Sequence, residues 1–236
     1  MSPVLPPFSQ PITLLGGGEV DHETLAEALL LAPVIVAADG GANVAWAHGH
    51  SPEWVVGDLD SADRRKLADM PPERVLFVAE QETTDFEKCL RRLDAPFVLG
   101  LGFTGPRFDH SLSACNALAR NPRSACLLLG RQDVIFHAPA RLALDLDPGT
   151  RVSLFPMAEV TGRSDGLRWP IAGLTLAPGG RIGTSNEATG RVEMEFDSAG
   201  MLVILPRAAL RAAIAALRPE WGDPAAPAGQ AAARGG

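Results

Sequence analysis

Residues 33–41 read PVIVAADGG: an unbroken apolar run, Val34–Ala38, then Asp39 and two glycines. A strand with one wet face alternates apolar and polar residues, whereas a parallel strand covered by helices on both faces is apolar throughout. The run therefore predicts a buried parallel strand that ends on a polar, glycine-rich loop. The same cadence recurs in ITLLGGG (12–18), EWVVGDLD (53–60), RVLFVAEQ (74–81), APFVLGLGFTG (95–105) and ACLLLG (125–130), giving six candidate strands. Between them lie HETLAEALLLA, ANVAWAHG, SADRRKLADM, TTDFEKCLRRL and DHSLSACNALAR, whose apolar residues recur three and four apart, as on one face of a helix. Residues 1–130 are thus expected to form an α/β domain, a mostly parallel sheet with helices on both faces, Rossmann-like in layering.

Past Arg131 the helical period stops. DVIFHA, RLALDL, RVSLFPMA, GLTLA, GRVEMEF and GMLVILP are short, β-rich and separated by Gly, Pro and Asp. Residues 131–218 are expected to form an antiparallel β-sandwich or barrel, closed by a terminal helix in LPRAALRAAIAALR. The stretch 219–236, rich in Ala, Gly and Pro, offers little to bury and is expected to be disordered.

With 236 residues, 46% hydrophobic and 21% charged, the chain has an ordinary globular balance. No apolar run approaches the roughly 18 to 20 residues that cross a bilayer. The opening MSPVLPPFSQP lacks a basic region and a long apolar core, so a cytoplasmic address is expected. Cys89, Cys115 and Cys126 make an odd number without a CxxC pair, which predicts buried thiols, not disulfides or zinc. Net charge is −7 and the basic residues are scattered, arguing against a nucleic-acid partner. Lys66 and Lys88 are the only lysines among 21 basic residues, so phosphate contacts would fall mostly to arginine.

Polar residues gather after the strands: GGGE, ADGGAN, GDLDS, EQETTD and GFTGPRFDH each follow an apolar run. Ligands of open parallel sheets bind outside the carboxyl ends of the strands, so these five loops are expected to share one crevice. Asp58 and Asp60, two apart in an extended segment, would point the same way and suit a divalent cation, although Asp60 or Ser61 capping the next helix is the plainer reading. The ADGGAN turn could face phosphate or ribose, or be a turn and no more. The Thr83 or Thr84 hydroxyl would cap the following helix; Asp85 suits its N-terminus with or without a metal, and Lys88 either reaches a phosphate or stays solvated. Arg107 and Asp109 in RFDH form a phosphate-site pair or a surface ion pair. Two like charges at 4 Å repel by about 1 kcal/mol in water and about 4 kcal/mol at an effective dielectric of 20, so gathered aspartates call for a cation. With no nucleophile elbow in view, the pattern points to phosphoryl-type transfer by positioning and charge neutralisation.

The set ADGGAN, GDLDS, QETTDFEKCL, GPRFDH, GLRWPI and GTSNEATG, in this order, resembles thiamine pyrophosphokinases of the bacterial type across most of residues 12–205. The resemblance implies an α/β nucleotide domain followed by a β-sandwich, a homodimer, and diphosphate transfer from ATP to thiamine with Mg²⁺. It makes Asp58, Asp60 and Asp85 metal- and phosphate-site residues and adds Lys88, Arg107 and Asp109 to the catalytic set. Gly40, Gly41, Asn43, Gln81 and Thr84 become nucleotide or phosphate contacts. Trp169, Ser185 and Asn186 become the thiamine segment at the dimer interface; on the residues alone, Trp169 would be sandwich core. Pro106 stands where the family often has glycine, Ala114 where it often has asparagine, and Glu80 where it often has aspartate. Another Mg²⁺-dependent transferase acting on a pterin-like alcohol, or a non-catalytic thiamine or nucleotide sensor, are the alternative readings.

Overall fold

The computed structural model of the chain describes residues 5–80 and 82–221. The chain divides into two compact units, one running to Ala117 and taking in Leu128–Gly130, the other made of Leu118–Leu127 and the chain from Arg131 onwards.

The first unit is built on β1 (Ile12–Leu15), β2 (Val34–Ala38), β3 (Trp54–Gly57), β4 (Val75–Phe77) and β5 (Val98–Leu101), with the last two residues of β6 (Cys126–Leu129). The order across the sheet is β6-β5-β1-β2-β3-β4, and the β1–β2, β1–β5, β2–β3 and β3–β4 pairs are parallel. Every residue of β1, β5 and β6 is buried, which is why these runs carry no alternation. The connecting helices are α1 (His22–Leu31), α2 (Gly41–Ala47), α3 (Arg64–Ala68), α4 (Asp85–Leu90) and α5 (Phe108–Arg120). Asp21 caps α1 by accepting from the Thr24 amide, and Asp63 caps α3 by accepting from the Arg65 and Lys66 amides.

Strand order reverses between β1 and β5, the switch point where the loops part to leave a crevice. The loops there meet backbone to backbone, and glycine makes that possible. A Cβ on Gly41 would lie 1.9 Å from the Leu15 carbonyl oxygen, and one on Gly18 would lie 2.5 Å from that of Gly102.

The second unit is antiparallel throughout. Its strands are β7 (Asp133–His137), β8 (Arg141–Leu144), β9 (Arg151–Pro156), β10 (Gly162–Leu167), β11 (Gly183–Phe196) and β12 (Met201–Pro206). One sheet runs β7-β12-β9-β11; β11 also pairs with β10 and β8, so this 14-residue strand belongs to both sheets. Helix α6 (Leu210–Leu217) packs on β8 through a face that buries Leu210, Ala213 and Ile214.

Several expectations change. GLTLA is not a strand; only Leu176 makes an isolated bridge, to Val160. The missing strand is β10, GRSDGL, whose polar residues tolerate solvent and whose bulge at Gly166 lets the backbone pass close to Arg191. β11 starts at Gly183, well before the apolar run expected at 190. Cys89 and Cys126 are buried, and burial pushes both thiols up, while Cys115 is only half-buried. A 3₁₀ turn spans Pro219–Trp221, its Trp221 amide donating to the Arg218 carbonyl; the rest of the tail lies outside the described residues.

Because the Gly41 contact is with backbone, it has no room to relax. Gly41→Ala is expected to cost about 3 kcal/mol of stability in urea denaturation, and Gly105→Ala, where a Cβ meets nothing within 4 Å, to stay within about 0.5 kcal/mol of wild type.

Candidate active site

The β2–α2 and β3–α3 loops meet over the carboxyl edge of the sheet. A Cβ on Gly40 would come within 3.3 Å of Ser61, and one on Gly17 within 3.6 Å of Gly40. Thus Gly40 and Gly41 sit where main chains cross, Gly41 at the first residue of α2.

Asp58 and Asp60 are brought together differently from expectation. Strand β3 ends at Gly57, and Leu59 has φ +61°, so the segment is a turn and not an extended run. The Leu59 side chain packs against the small core of Ala37, Ala42, Val55 and Ala62, which offsets the cost of its backbone conformation. Asp39, φ +42°, is buried at the end of β2, and its carboxylate accepts from the Ser61 amide at 3.3 Å and the Ala62 amide at 3.2 Å. One carboxylate oxygen from each of Asp39, Asp58 and Asp60 lies within 4.8 Å of the others. Burial first, then the charge of Asp85, pushes the Asp39 carboxyl above its ordinary value.

Lys88 is where the structure departs most from expectation. A solvated lysine is the commoner fate for such a position, yet its side chain is 2% exposed. Its ammonium donates to Asp85 at 2.9 Å and to Asp58 at 3.3 Å. Burial pulls Lys88 down, but the hydrogen bond and charge of Asp85, followed by those of Asp58, outweigh it and leave the group above its ordinary value. The acidic trio therefore contains Asp39 in place of Asp85, whose carboxylate rests on Lys88. Sequence position gave Asp39 a place at a strand end, but nothing in its spacing marked it as the third acid.

Asp39, Asp58, Asp60 and Asp85 gather here and the Lys88 ammonium pairs with two of them, leaving a surplus of negative charge that a hard divalent cation offsets. Mg²⁺ binds oxygen at about 2.0 to 2.1 Å in octahedral geometry, keeping waters and substrate phosphates beside one or two carboxylates. Asp39, Asp58 and Asp60 offer all-oxygen donors at a spacing that suits such an ion.

The other predicted residues fall as follows. Thr84 caps α4, its hydroxyl accepting from the Glu87 amide at 3.3 Å. Glu80 accepts from the Thr83 hydroxyl and from the Thr83 and Glu82 amides, ordering the turn before α4. Gln81 lies outside the described residues. Asn43 uses its amide within the protein, donating to the Ser61 carbonyl at 2.8 Å and accepting from the Asp63 amide at 2.9 Å. Arg107 holds Asp109 at 2.6 and 3.3 Å in a fork on the surface, the two side chains 69% and 65% exposed, and the hydrogen bond and charge of Arg107 keep the Asp109 carboxyl below its ordinary value.

Within the second unit, Trp169 is not sandwich core: it is 54% exposed, with the Arg168 guanidinium 4.9 Å from its ring centroid. Asn186 is buried and fixes that segment, accepting from the Trp169 amide at 3.2 Å and donating to its carbonyl at 2.7 Å. Ser185, exposed and at φ +61°, is held by its amide to Ser153 Oγ at 3.0 Å. One side chain thus holds the backbone that presents Trp169 to solvent.

A parallel α/β sheet with glycine-rich loops and an acidic, lysine-bridged cluster at its carboxyl edge, followed along the chain by an antiparallel β unit, defines a two-unit α/β protein with a site at the strand ends. Two family models match in sequence order: the thiamin pyrophosphokinase catalytic domain over residues 25–128 and the thiamin pyrophosphokinase vitamin B1 binding domain over residues 140–201. The chain belongs to the thiamin pyrophosphokinase family. It is 28% identical over 170 residues to thiamine pyrophosphokinase 1 of rice, covering 63% of this chain and 64% of that protein, a little under two thirds of the relative's length. It is likewise 28% identical over 174 residues to thiamin pyrophosphokinase 1 of Caenorhabditis elegans, covering 65% and 71%. Its fold is shared with the crystal structure of the Geobacillus thermodenitrificans thiamin pyrophosphokinase, at TM-score 0.67 and 24% identity over 83% of this chain and 96% of that one. The Candida albicans thiamin pyrophosphokinase aligns at TM-score 0.69 and 16% identity, covering 87% and 96%.

Removing the Lys88 ammonium takes away the counter-charge that Asp58 and Asp85 share. Lys88→Met is expected to lower stability at pH 7 by about 2 kcal/mol, less than for a fully buried pair because Asp85 is 36% exposed. A lysine raised in the folded state stabilises fully below its ordinary value of 10.5 and loses that contribution as pH climbs through the folded value. The gap between wild type and Lys88→Met, followed by denaturation from pH 8 upwards, is therefore expected to hold to about pH 10.5 and then close.

Proposed function

We propose that this chain is a thiamine diphosphokinase, moving the diphosphate of ATP to the hydroxyl of thiamine and releasing AMP. The observation that carries the reading is the group of Asp39, Asp58 and Asp60 after strands β2 and β3, tied through Asp58 to the buried Lys88 and its second partner Asp85, in a sheet whose loops touch through glycine. In the reaction, the thiamine hydroxyl oxygen bonds to the β-phosphorus, the bond from that phosphorus to the α,β-bridging oxygen breaks, and AMP departs with that oxygen. The hydroxyl proton passes to a carboxylate of the cluster, Asp58 or Asp85.

Mg²⁺, when bound, screens the charge of the transferring phosphates, and Asp58 and Asp60 with Asp39 are the residues that would hold it. Lys88 keeps Asp58 and Asp85 fixed and adds positive charge close to the phosphates. Arg107, on the exposed start of α5, reaches phosphate once it exchanges Asp109 for the ligand, since its fork fits either anion. Gly40 and Gly41 allow main-chain approach to the nucleotide, and Thr84 orders the start of the helix that carries Asp85 and Lys88.

Thiamine is assigned to the second unit, beside Trp169 and Ser185, with Asn186 as the support beneath. An exposed indole suits a thiazolium cation and a stacked pyrimidine. The working form is a homodimer with the thiamine site at the interface, in the cytoplasm; among the described residues no helix is long and apolar enough to cross a membrane. Sedimentation at several concentrations tests the dimer.

Incubation with ATP, Mg²⁺ and thiamine is expected to give AMP and thiamine diphosphate in equal amounts, none of it in EDTA. ADP with thiamine monophosphate would place the attack at the γ-phosphorus; turnover of a hydroxymethylpterin but not thiamine would move the acceptor; saturable thiamine binding without product would leave a sensor. Asp60→Ala is expected to lower turnover by about 100-fold with the fold intact by circular dichroism. Trp169→Ala is expected to raise the KM for thiamine about 10-fold and, being half exposed, to change stability by less than about 1 kcal/mol.

A further inference from the structure

The loop of residues 57–63 carries Asp58 and Asp60 between the end of β3 and Asp63, the cap of α3. Its turn runs through Leu59 at φ +61°, a conformation a leucine does not choose unaided. What imposes it comes from the preceding loop. Asp39 takes the Ser61 and Ala62 amides, and Asn43, one turn into α2, takes the Asp63 amide and gives a hydrogen bond to the Ser61 carbonyl. Four hydrogen bonds from two side chains thus hold the backbone of three consecutive residues. The two Asn43 bonds, at 2.8 and 2.9 Å, are shorter than those of Asp39, and they meet one acceptor and one donor with the complementary ends of a single amide. Asn43 is exposed, so no demand of the core explains this arrangement.

From this we infer that Asn43 is a positioning residue: it fixes the backbone of the Asp58–Asp63 turn so that Asp58 and Asp60 meet Asp39 at ligating distance, and it serves the cation site rather than the nucleotide. Asn43 engages the backbone of this turn without being a ligand candidate, so it can be altered without deleting a carboxylate. Outer partners that orient metal ligands commonly contribute 10- to 100-fold in affinity. The inference rests on the reading of the acidic cluster as a divalent-cation site, and it is separable from the choice of thiamine as acceptor.

The test is Mn²⁺ binding followed by electron paramagnetic resonance, on full-length wild type and Asn43→Ala without nucleotide. The variant is expected to bind Mn²⁺ about 10-fold more weakly. The Mg²⁺ concentration for half-maximal turnover should rise in parallel, while the KM for ATP at saturating Mg²⁺ moves less than about twofold. Faster hydrogen exchange at the Asp63 amide would report release of the turn. Unchanged Mn²⁺ affinity with a raised KM for ATP would make Asn43 a nucleotide contact and overturn the inference. A lower melting temperature with unchanged Mn²⁺ affinity would reduce it to a stabilising residue and also overturn it. If Asn43→Ala does not fold, Asn43→Ser, whose single hydroxyl cannot span both backbone groups, is read the same way. Wild type that binds no Mn²⁺ removes the cation reading and the positioning role together; wild type that binds Mn²⁺ but forms no thiamine diphosphate removes only the acceptor, and the Asn43 comparison still decides.

Discussion

An ammonium group shut away between two carboxylates governs the first unit. Lys88 is 2% exposed and lies 2.9 Å from Asp85 and 3.3 Å from Asp58, so it joins α4 to the loop after β3 with a charge that water reaches only through its partners. Without it, four aspartates would share a crevice with no internal counter-charge, at a mutual cost of several kcal/mol at the dielectric of a partly buried site. With it, Asp58 is held on one side while its neighbours remain available on the other. The glycine contacts serve the same end from beneath, because loops that touch through backbone bring their acidic side chains to one place without bulk between them.

The sequence displayed the parts of this fold that are made by burial. All six strands of the first sheet could be read from runs with no polar face, and the site loops from their place after those runs, since continuous apolarity and strand ends are local properties of the chain. What escaped was set by contacts distant in sequence. GRSDGL forms β10 because β11 offers it a partner, not because its own residues favour a strand, and GLTLA, which does favour one, finds only a bridge. Lys88 sits on a helix of six residues where a solvated side chain is the usual outcome; only the meeting with Asp58, thirty positions earlier, changes that. Asp39 and Leu59 depend on positive φ, which neither residue type announces. Trp169 reads as core by composition and is exposed because Asn186 holds its backbone at the sandwich surface.

The two units use related devices for different ends. In the first, Asp39 and Asn43 take hold of a neighbouring loop by its main chain; in the second, Asn186 does the same for the segment bearing Trp169. In both, a short amide side chain reads one donor and one acceptor of a backbone that has no regular partner. The backbone of residues 61–63 is thereby fixed by Asp39 and Asn43, the former a ligand candidate as well. Ser185, at positive φ beside Asn186, and Leu59, beside Asp58, mark where the chain is bent away from its own preference to achieve this.

Helix α4 also bears on how this protein can change over generations. Of its six residues, Phe86, Glu87, Lys88, Cys89 and Leu90 are buried, and Asp85 rests on Lys88. Such a helix has no neutral face. A substitution at any position must alter a packing contact, a buried charge or a partner of the acidic crevice, so drift that elsewhere passes unnoticed is filtered here at every codon. The segment should accept few single substitutions, and a departure within it should arrive together with a compensating change at Asp58 or in the core under β3.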